Sequence, residues 1–189
     1  MNVYDFDNTI YRGESVLHFF FFYIKKTPYL LKFIPKVFYA LFKYKSGKIT
    51  VEQALADYAP FVEDYFKKIP DIRKDAVEFW DLHMDRIKPF YKELQKEDDV
   101  IVTASPECTM EEICKRLGIK YCVGSLINEE SGKIERLCMR SRKVPAFLEA
   151  FPNAHIDNFY TDSPKNDAPL IELADHAFQV KGDKIIKLK

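Results

Sequence analysis

The sequence predicts an α/β chain, a doubly wound parallel sheet interrupted after its first strand by an all-helical insert. Three observations carry this reading. Short apolar runs alternate with amphipathic stretches from Asp99 onward, the order of strand–helix–strand units. Aspartates stand just after several of those runs, where a doubly wound sheet places its ligand site. Residues 14–95 carry helical patterning with no strand-like run. The expected division is therefore a core of residues 1–13 and 96–189 and an insert of residues 14–95, the far end of its last helix bordering the core.

Taken in order, Asn2 to Phe6 is β-like and meets Asp5, Asp7, Asn8 and Thr9, so the first strand runs at once into a polar loop. Within the insert, Thr50 and Gln53 have capping-box spacing, and Val77, Trp80, Leu82, Met84 and Ile87 recur at helical intervals. Val100 to Val102 reads as a buried strand. Pro106 and Glu107 then open a helix that Gly118 closes. Tyr121 to Gly124 is a further strand, and Ser131-Gly132 turns a small hairpin between Leu126 to Asn128 and Lys133 to Met139. Ser141 caps a helix running to about Phe151. His155 to Tyr160 is a strand, Asp167 to Ala174 a helix, and Ala177 to Lys181 a strand turned at Gly182-Asp183.

The 189 residues are 47% hydrophobic and 31% charged, enough for a sizeable core, and 16 are Gly or Pro, which excludes a wholly disordered or collagen-like chain. Equal numbers of basic and acidic residues, 29 each, argue against a general nucleic-acid coat. The longest stretch without a charge, Ser15 to Ile24, is half the roughly 20 residues a transmembrane helix needs. Met1 leads into an apolar strand with no signal-like region before it. Cys108, Cys114, Cys122 and Cys138 lack CxxC pairing and read as reduced, buried thiols rather than a zinc or redox site. These readings give a cytoplasmic expectation.

Asp5, Asp7, Asp162 and Asp167 all follow predicted strands, so folding can gather them at one sheet edge. Aspartates are also common in ordinary loops and helix caps. A true cluster of four would repel itself unless an oxygen-seeking cation such as Mg²⁺ neutralised it, and that ion would prepare the place for a phosphate.

In these residues the chain resembles the haloacid dehalogenase-like superfamily, in its phosphoserine phosphatase-like branch with a helical cap after the first strand. The first motif, DxDx(T/V), is Asp5 to Thr9; the second is Thr103 after an apolar strand; the third is Lys143; the fourth is the acidic pair in Asp162-Ser163-Pro164-Lys165-Asn166-Asp167. The resemblance implies that Asp5 is a nucleophile forming an aspartyl-phosphate, and that Asp7 is the acid and base. It implies Mg²⁺ on Asp5, Asp7 (through its backbone carbonyl) and Asp162, with Asp167 holding a metal-bound water. Thr103, the backbone of Ala104 and Lys143 would bind the phosphoryl oxygens. Asn8 stands where the superfamily often has Gly, which calls for a left-handed backbone. Four residues separate the fourth-motif acids, and Lys165 among them competes with Lys143 for the phosphate-binding role.

The implied activity is Mg²⁺-dependent phosphomonoester hydrolysis on a small phosphorylated metabolite or a lipid head-group phosphate. The alternatives are a phosphotransferase with the same intermediate and a non-catalytic phosphate-binding or membrane-adaptor module. Glu14, nine residues after Asp5, matches an acid that meets a substrate amine in the phosphoserine phosphatases, or simply opens the first helix. Between Ser15 and Lys48 lie seven lysines, no acids, and a run of aromatic residues, read either as packing within the cap or as peripheral contact with anionic lipid on the inner face of the membrane. His18 and His83 read as packed or surface histidines with no partner.

Overall fold

A computed structural model describes residues 1–46 and 51–189, with the backbone alone at some positions between 33 and 58. After β1 (Asn2–Tyr4) come α1 (Ser15–Lys26), a 3-10 turn (Pro28–Phe33), α2 (Ile34–Lys45), α3 (Val51–Lys67), α4 (Ile72–Asp81) and α5 (Pro89–Leu94). The rest alternates: β2 (Val100–Pro106), α6 (Glu107–Leu117), β3 (Tyr121–Ile127), β4 (Ile134–Arg136), α7 (Lys143–Ala150), β5 (Ile156–Thr161), α8 (Ala168–Leu173), β6 (Ala174–Lys181) and β7 (Lys184–Lys187). The strand order is β4-β3-β2-β1-β5-β6-β7. Strands β3, β2, β1, β5 and β6 run parallel, and β4 and β7 close the two edges antiparallel.

The period of two along each strand explains why both faces are covered. Val3, Val100, Val102 and Phe159 point to one face, where Phe147 of α7 and Leu170 of α8 pack on them. Tyr4, Ile101 and Tyr160 point to the other, beneath α1, α4 and α6. There Tyr4, Tyr160 and Phe178, paired in register, stack face to face across β1, β5 and β6 at 4.6 and 4.9 Å.

The chain leaves the core and comes back through one doorway. Outgoing Tyr11 and returning Ile87 form an antiparallel bridge. Arg12 N–H donates to Arg86 O at 2.9 Å, and Lys88 N–H to Ile10 O at 2.8 Å.

Some local expectations fail. Val77 and Leu82 are exposed; the buried face of α4 is Ile72, Ala76, Phe79 and Trp80, and the helix stops at Asp81, before Met84 and Ile87. Ser141 caps nothing, because a 3-10 turn over Arg140–Arg142 runs straight into α7. The Thr50–Gln53 capping box rests on Thr50, which lies outside the described residues. The run after Gly182 forms β7, and Leu126 to Ile127 belong to β3. Cys108, Cys114 and Cys138 are buried and Cys122 is half-buried; burial pushes the Cys108 and Cys138 thiols up to about 12.

Candidate active site

Strand order reverses at β1, which has β2 on one side and β5 on the other, so a crevice opens at their carboxyl ends. Tyr4 pairs with Ile101 and Tyr160, and Asp5, the residue that follows β1, donates its N–H to Tyr160 O at 2.9 Å. Register thus carries Asp5 to the same level as Thr161 and Asp162. Thr9, buried in the following loop, joins the two ends: its hydroxyl faces Asp5 Oδ2 at 3.3 Å and accepts from the Asp162 N–H at 2.8 Å. Asn8 makes this tight loop possible by taking φ of 58°.

A buried ammonium holds the centre. Lys143, at the first turn of α7, places Nζ 2.6 Å from Asp5 Oδ1 and 2.9 Å from Asp167 Oδ1. Both carboxylates raise its affinity for the proton, outweighing burial. Asp167 Oδ2 accepts from the Thr161 hydroxyl at 2.6 Å, so each of its oxygens is engaged. Lys165 is exposed and stands apart from this arrangement.

Asp162 has no such company. Among the described residues nothing donates to its carboxylate, and burial, then Asp5, push it up to about 7. Burial also raises Asp5 to about 6, against the pull of Lys143. Two carboxyls that share one oxygen-rich corner and lack a full counter-charge suit a hard divalent cation such as Mg²⁺. The donor set therefore fits that ion.

Asp7 is held on both sides. Oδ1 accepts the Ser15 N–H at 2.7 Å, at the first turn of α1, and Oδ2 accepts the Ser105 hydroxyl at 2.9 Å. Burial lifts it to about 7, against the pull of Ser15. Ser105 was not singled out from the sequence. It reaches Asp7 because β2 slips register against β3 between Val102 and Pro106, a local kink that turns the strand end toward the crevice. Gly124 on β3 permits the kink, since a Cβ there would stand 2.6 Å from Ser105 O. Thr103 is fully buried at the same kink, its hydroxyl accepting the Ser105 N–H at 3.1 Å; Ala104 is the exposed residue between them.

Two further groups flank the loop. Glu14 Oε1 accepts from Asn8 Nδ2 at 3.0 Å, so its carboxylate braces the loop and does not cap α1. Lys88, also missed in the sequence, is buried with its ammonium on the carbonyls of Asn8 and Gly182. The histidines are partnered after all: His18 Nδ1 meets the Tyr11 hydroxyl at 2.6 Å, His83 Nδ1 donates to Phe79 O at 2.7 Å, and the two rings stack at 5.9 Å. A cleft of about 440 Å³ lies elsewhere, between Glu63 of α3 and Arg136, Arg142 and Glu149, and none of the acidic residues above lines it.

Comparison with known proteins follows this geometry. The family profile of the haloacid dehalogenase-like hydrolases matches residues 3–172. No curated protein matches. Among solved structures, a protein of unknown function from Bordetella pertussis Tohama I aligns at 16% identity over 94% of this chain and 87% of its own, with a TM-score of 0.74. A phosphoserine phosphohydrolase-like protein from Francisella tularensis subsp. tularensis SCHU S4 aligns at 19% identity over 97% and 88%, with a TM-score of 0.64. The phosphoserine phosphatase of T. onnurineus aligns at 19% identity over 94% and 81%, with a TM-score of 0.58.

Proposed function

Because the chain belongs to the haloacid dehalogenase-like hydrolase family, we propose that it is a phosphatase that hydrolyses phosphomonoesters through an aspartyl-phosphate on Asp5. The observation that supports this best is the Asp5–Lys143–Asp167 arrangement beside the unpaired Asp162. One Asp5 oxygen is tied to Lys143 at 2.6 Å, while the other meets the Thr9 hydroxyl at a longer 3.3 Å, which leaves it the freer to attack phosphorus. As the new O–P bond forms, the ester bond breaks and the leaving oxygen takes a proton from Asp7. A carboxyl raised to about 7 holds that proton for part of the time at neutral pH. Asp7, now ionised, takes a proton from the water that attacks the phosphorus, and Asp5 leaves as the carboxylate.

Mg²⁺ held by Asp5, Asp162 and the Asp7 carbonyl would supply counter-charge to the phosphoryl oxygens. Lys143, Thr103 and the backbone at Ala104 complete the oxygen-binding set, and Asp167 orients Lys143. Ser105 and the Ser15 N–H fix the Asp7 carboxyl in its direction of transfer. Glu14, one oxygen engaged with Asn8, is the candidate contact for a polar group of the substrate. The substrate class is a small phosphorylated metabolite or a head-group phosphate, and the insert serves as a cap over the crevice.

The test is hydrolysis of an aryl phosphate with Mg²⁺ and with a chelator, followed by acid quench and mass analysis of the tryptic peptide that contains Asp5. Metal-dependent turnover with phosphate trapped on that peptide is expected. Turnover that survives Asp5→Asn would overturn the reading.

A further inference from the structure

The outward side of α2 reverses ordinary burial. Phe38, Tyr39 and Phe42, three and four residues apart and so on one face, are 55, 56 and 63% exposed. Tyr29 and Leu31 in the preceding turn are each 52% exposed, and Phe21 of α1 sits 6.3 Å from Phe38, ring to ring. Large apolar side chains gathered this way on a surface mark a place of contact.

Charge tells what the contact is with. From Ser15 to Ser46 the chain has no Asp or Glu. Lys25, Lys32 and Lys36 of the same segment are exposed, and Lys32 Nζ lies 3.5 Å from the Tyr29 ring centre and Lys43 Nζ 4.7 Å from that of Tyr39. Lys26 is different: it turns toward α4 and pairs with Asp75 and Glu78 at 2.5 and 2.6 Å. The segment therefore combines rings with cations and contributes no anion of its own, while the Lys68–Asp64 pair at the end of α3 borders it at Tyr29.

We propose that the outer face of α1, the 3-10 turn and α2 docks on an anionic lipid bilayer. Phe38, Tyr39 and Phe42 enter the head-group boundary, and Lys25, Lys32 and Lys36 meet the lipid phosphates. A second copy of the chain fits poorly, because self-docking would set these lysines against one another. A bilayer supplies both halves of the complement, an apolar boundary beneath a negative surface. No helix among the described residues is long and apolar enough to cross a membrane, so the contact is with one leaflet. This surface stands apart from the proposed chemistry of Asp5, and a failure of one leaves the other intact.

The test is co-sedimentation of the whole chain with phosphatidylcholine vesicles, with and without phosphatidylglycerol, at about 20 mM and about 500 mM salt, where the screening length shrinks several-fold. Binding to the anionic vesicles alone, reversed by salt, is expected. Changing Lys25, Lys32 and Lys36 together to Gln should weaken it on the order of 100-fold, with the circular dichroism spectrum unchanged. As a second reading, a Phe42→Trp variant should show a blue-shifted increment of emission with anionic vesicles, since the native Trp80 is buried and constant. Wild type that stays in the supernatant with both vesicle types overturns the proposal. So does a lysine variant that binds like wild type, or a concentration-dependent dimer that forms through Phe38 and Phe42 in place of vesicle binding.

Discussion

At the carboxyl ends of β1, β2 and β5, charged groups lie inside the protein; on α2, aromatic rings lie outside it. Asp5, Lys143 and Asp167 are 7, 5 and 2% exposed, whereas Phe38, Tyr39 and Phe42 are more than half exposed. Each arrangement opposes the bulk preference of its side chains. Burying ions costs several kcal/mol apiece unless partners are in place, and leaving a large ring in water forgoes about 1.5–3 kcal/mol. The difference lies in where compensation is found. The ions are matched within the chain, by a lysine 138 residues from its aspartate. The rings keep more than half of their surface in solvent despite local contacts such as Phe38 with Phe21 and Tyr39 with Lys43, which is why the first region reads as a site for chemistry and the second as a proposed surface for contact.

The largest expected effect falls on the inner region. Asp5→Asn should lower aryl phosphate turnover by at least about 1,000-fold with the thermal midpoint nearly unchanged, because the amide fills the same space and cannot attack phosphorus. Asp7→Asn should cost on the order of 100-fold, with phosphoenzyme accumulating if water attack is hit harder than ester cleavage; quench-flow kinetics would show it. Full activity in either variant would break the assignment of the buried carboxylates to chemistry.

Lys143→Ala should destabilise the fold by about 3 kcal/mol in urea melts, because it strands Asp5 and Asp167 in the interior, and should weaken binding of a phosphate analogue about tenfold or more. Lys165→Ala should stay within about 0.5 kcal/mol. Equal effects of the two lysines would erase the distinction between paired and solvated charge. Asp162 sharpens it from the other direction. Its folded-state value, about 7, lies above the ordinary aspartate value, so the folded form holds the proton more tightly. In chelator, stability should therefore fall as pH rises from about 4 through about 7, with Asp5 and Asp7 contributing in the same direction, and Asp162→Asn should make that fall shallower and raise the melting temperature at pH 8 by about 2–4 °C. Added Mg²⁺ should stabilise the wild type and leave the variant unmoved. On the outer region the smallest change is expected: Phe42→Ser should alter stability by less than about 0.5 kcal/mol, against about 3 kcal/mol or more for buried Phe19→Ala.

The α/β alternation was legible because strands β2, β3 and β5 are apolar runs bounded by polar loops, and Asp5 and Asp162 because they stand next to such runs. Ser105 was not, since its contact with Asp7 arises from a kink against β3 that leaves no mark in composition. Lys88 looked like any surface lysine; its burial depends on two carbonyls, of Asn8 and Gly182, far away in sequence. Periodicity misled at Val77 and Leu82, where apolar residues face solvent, and the count of lysines after Ser15 could not foresee that α4 brings Asp75 and Glu78 to Lys26.

The shared doorway at residues 10–12 and 86–88 has a consequence for modularity. Because exit and return are bonded side by side, the residues between them form a loop whose ends are already closed, and the entropic cost of such a closure grows only slowly with the number of residues it holds. The helical segment is nevertheless no free-standing attachment: Phe19, Phe79 and Trp80 share one apolar cluster with Tyr4 and Ile101 of the sheet, and the Trp80 indole N–H donates to Thr109 O at 2.8 Å. Ser15 at the start of α1 also holds the Asp7 carboxylate, so any replacement of the segment has to keep that bond as well as the closed ends.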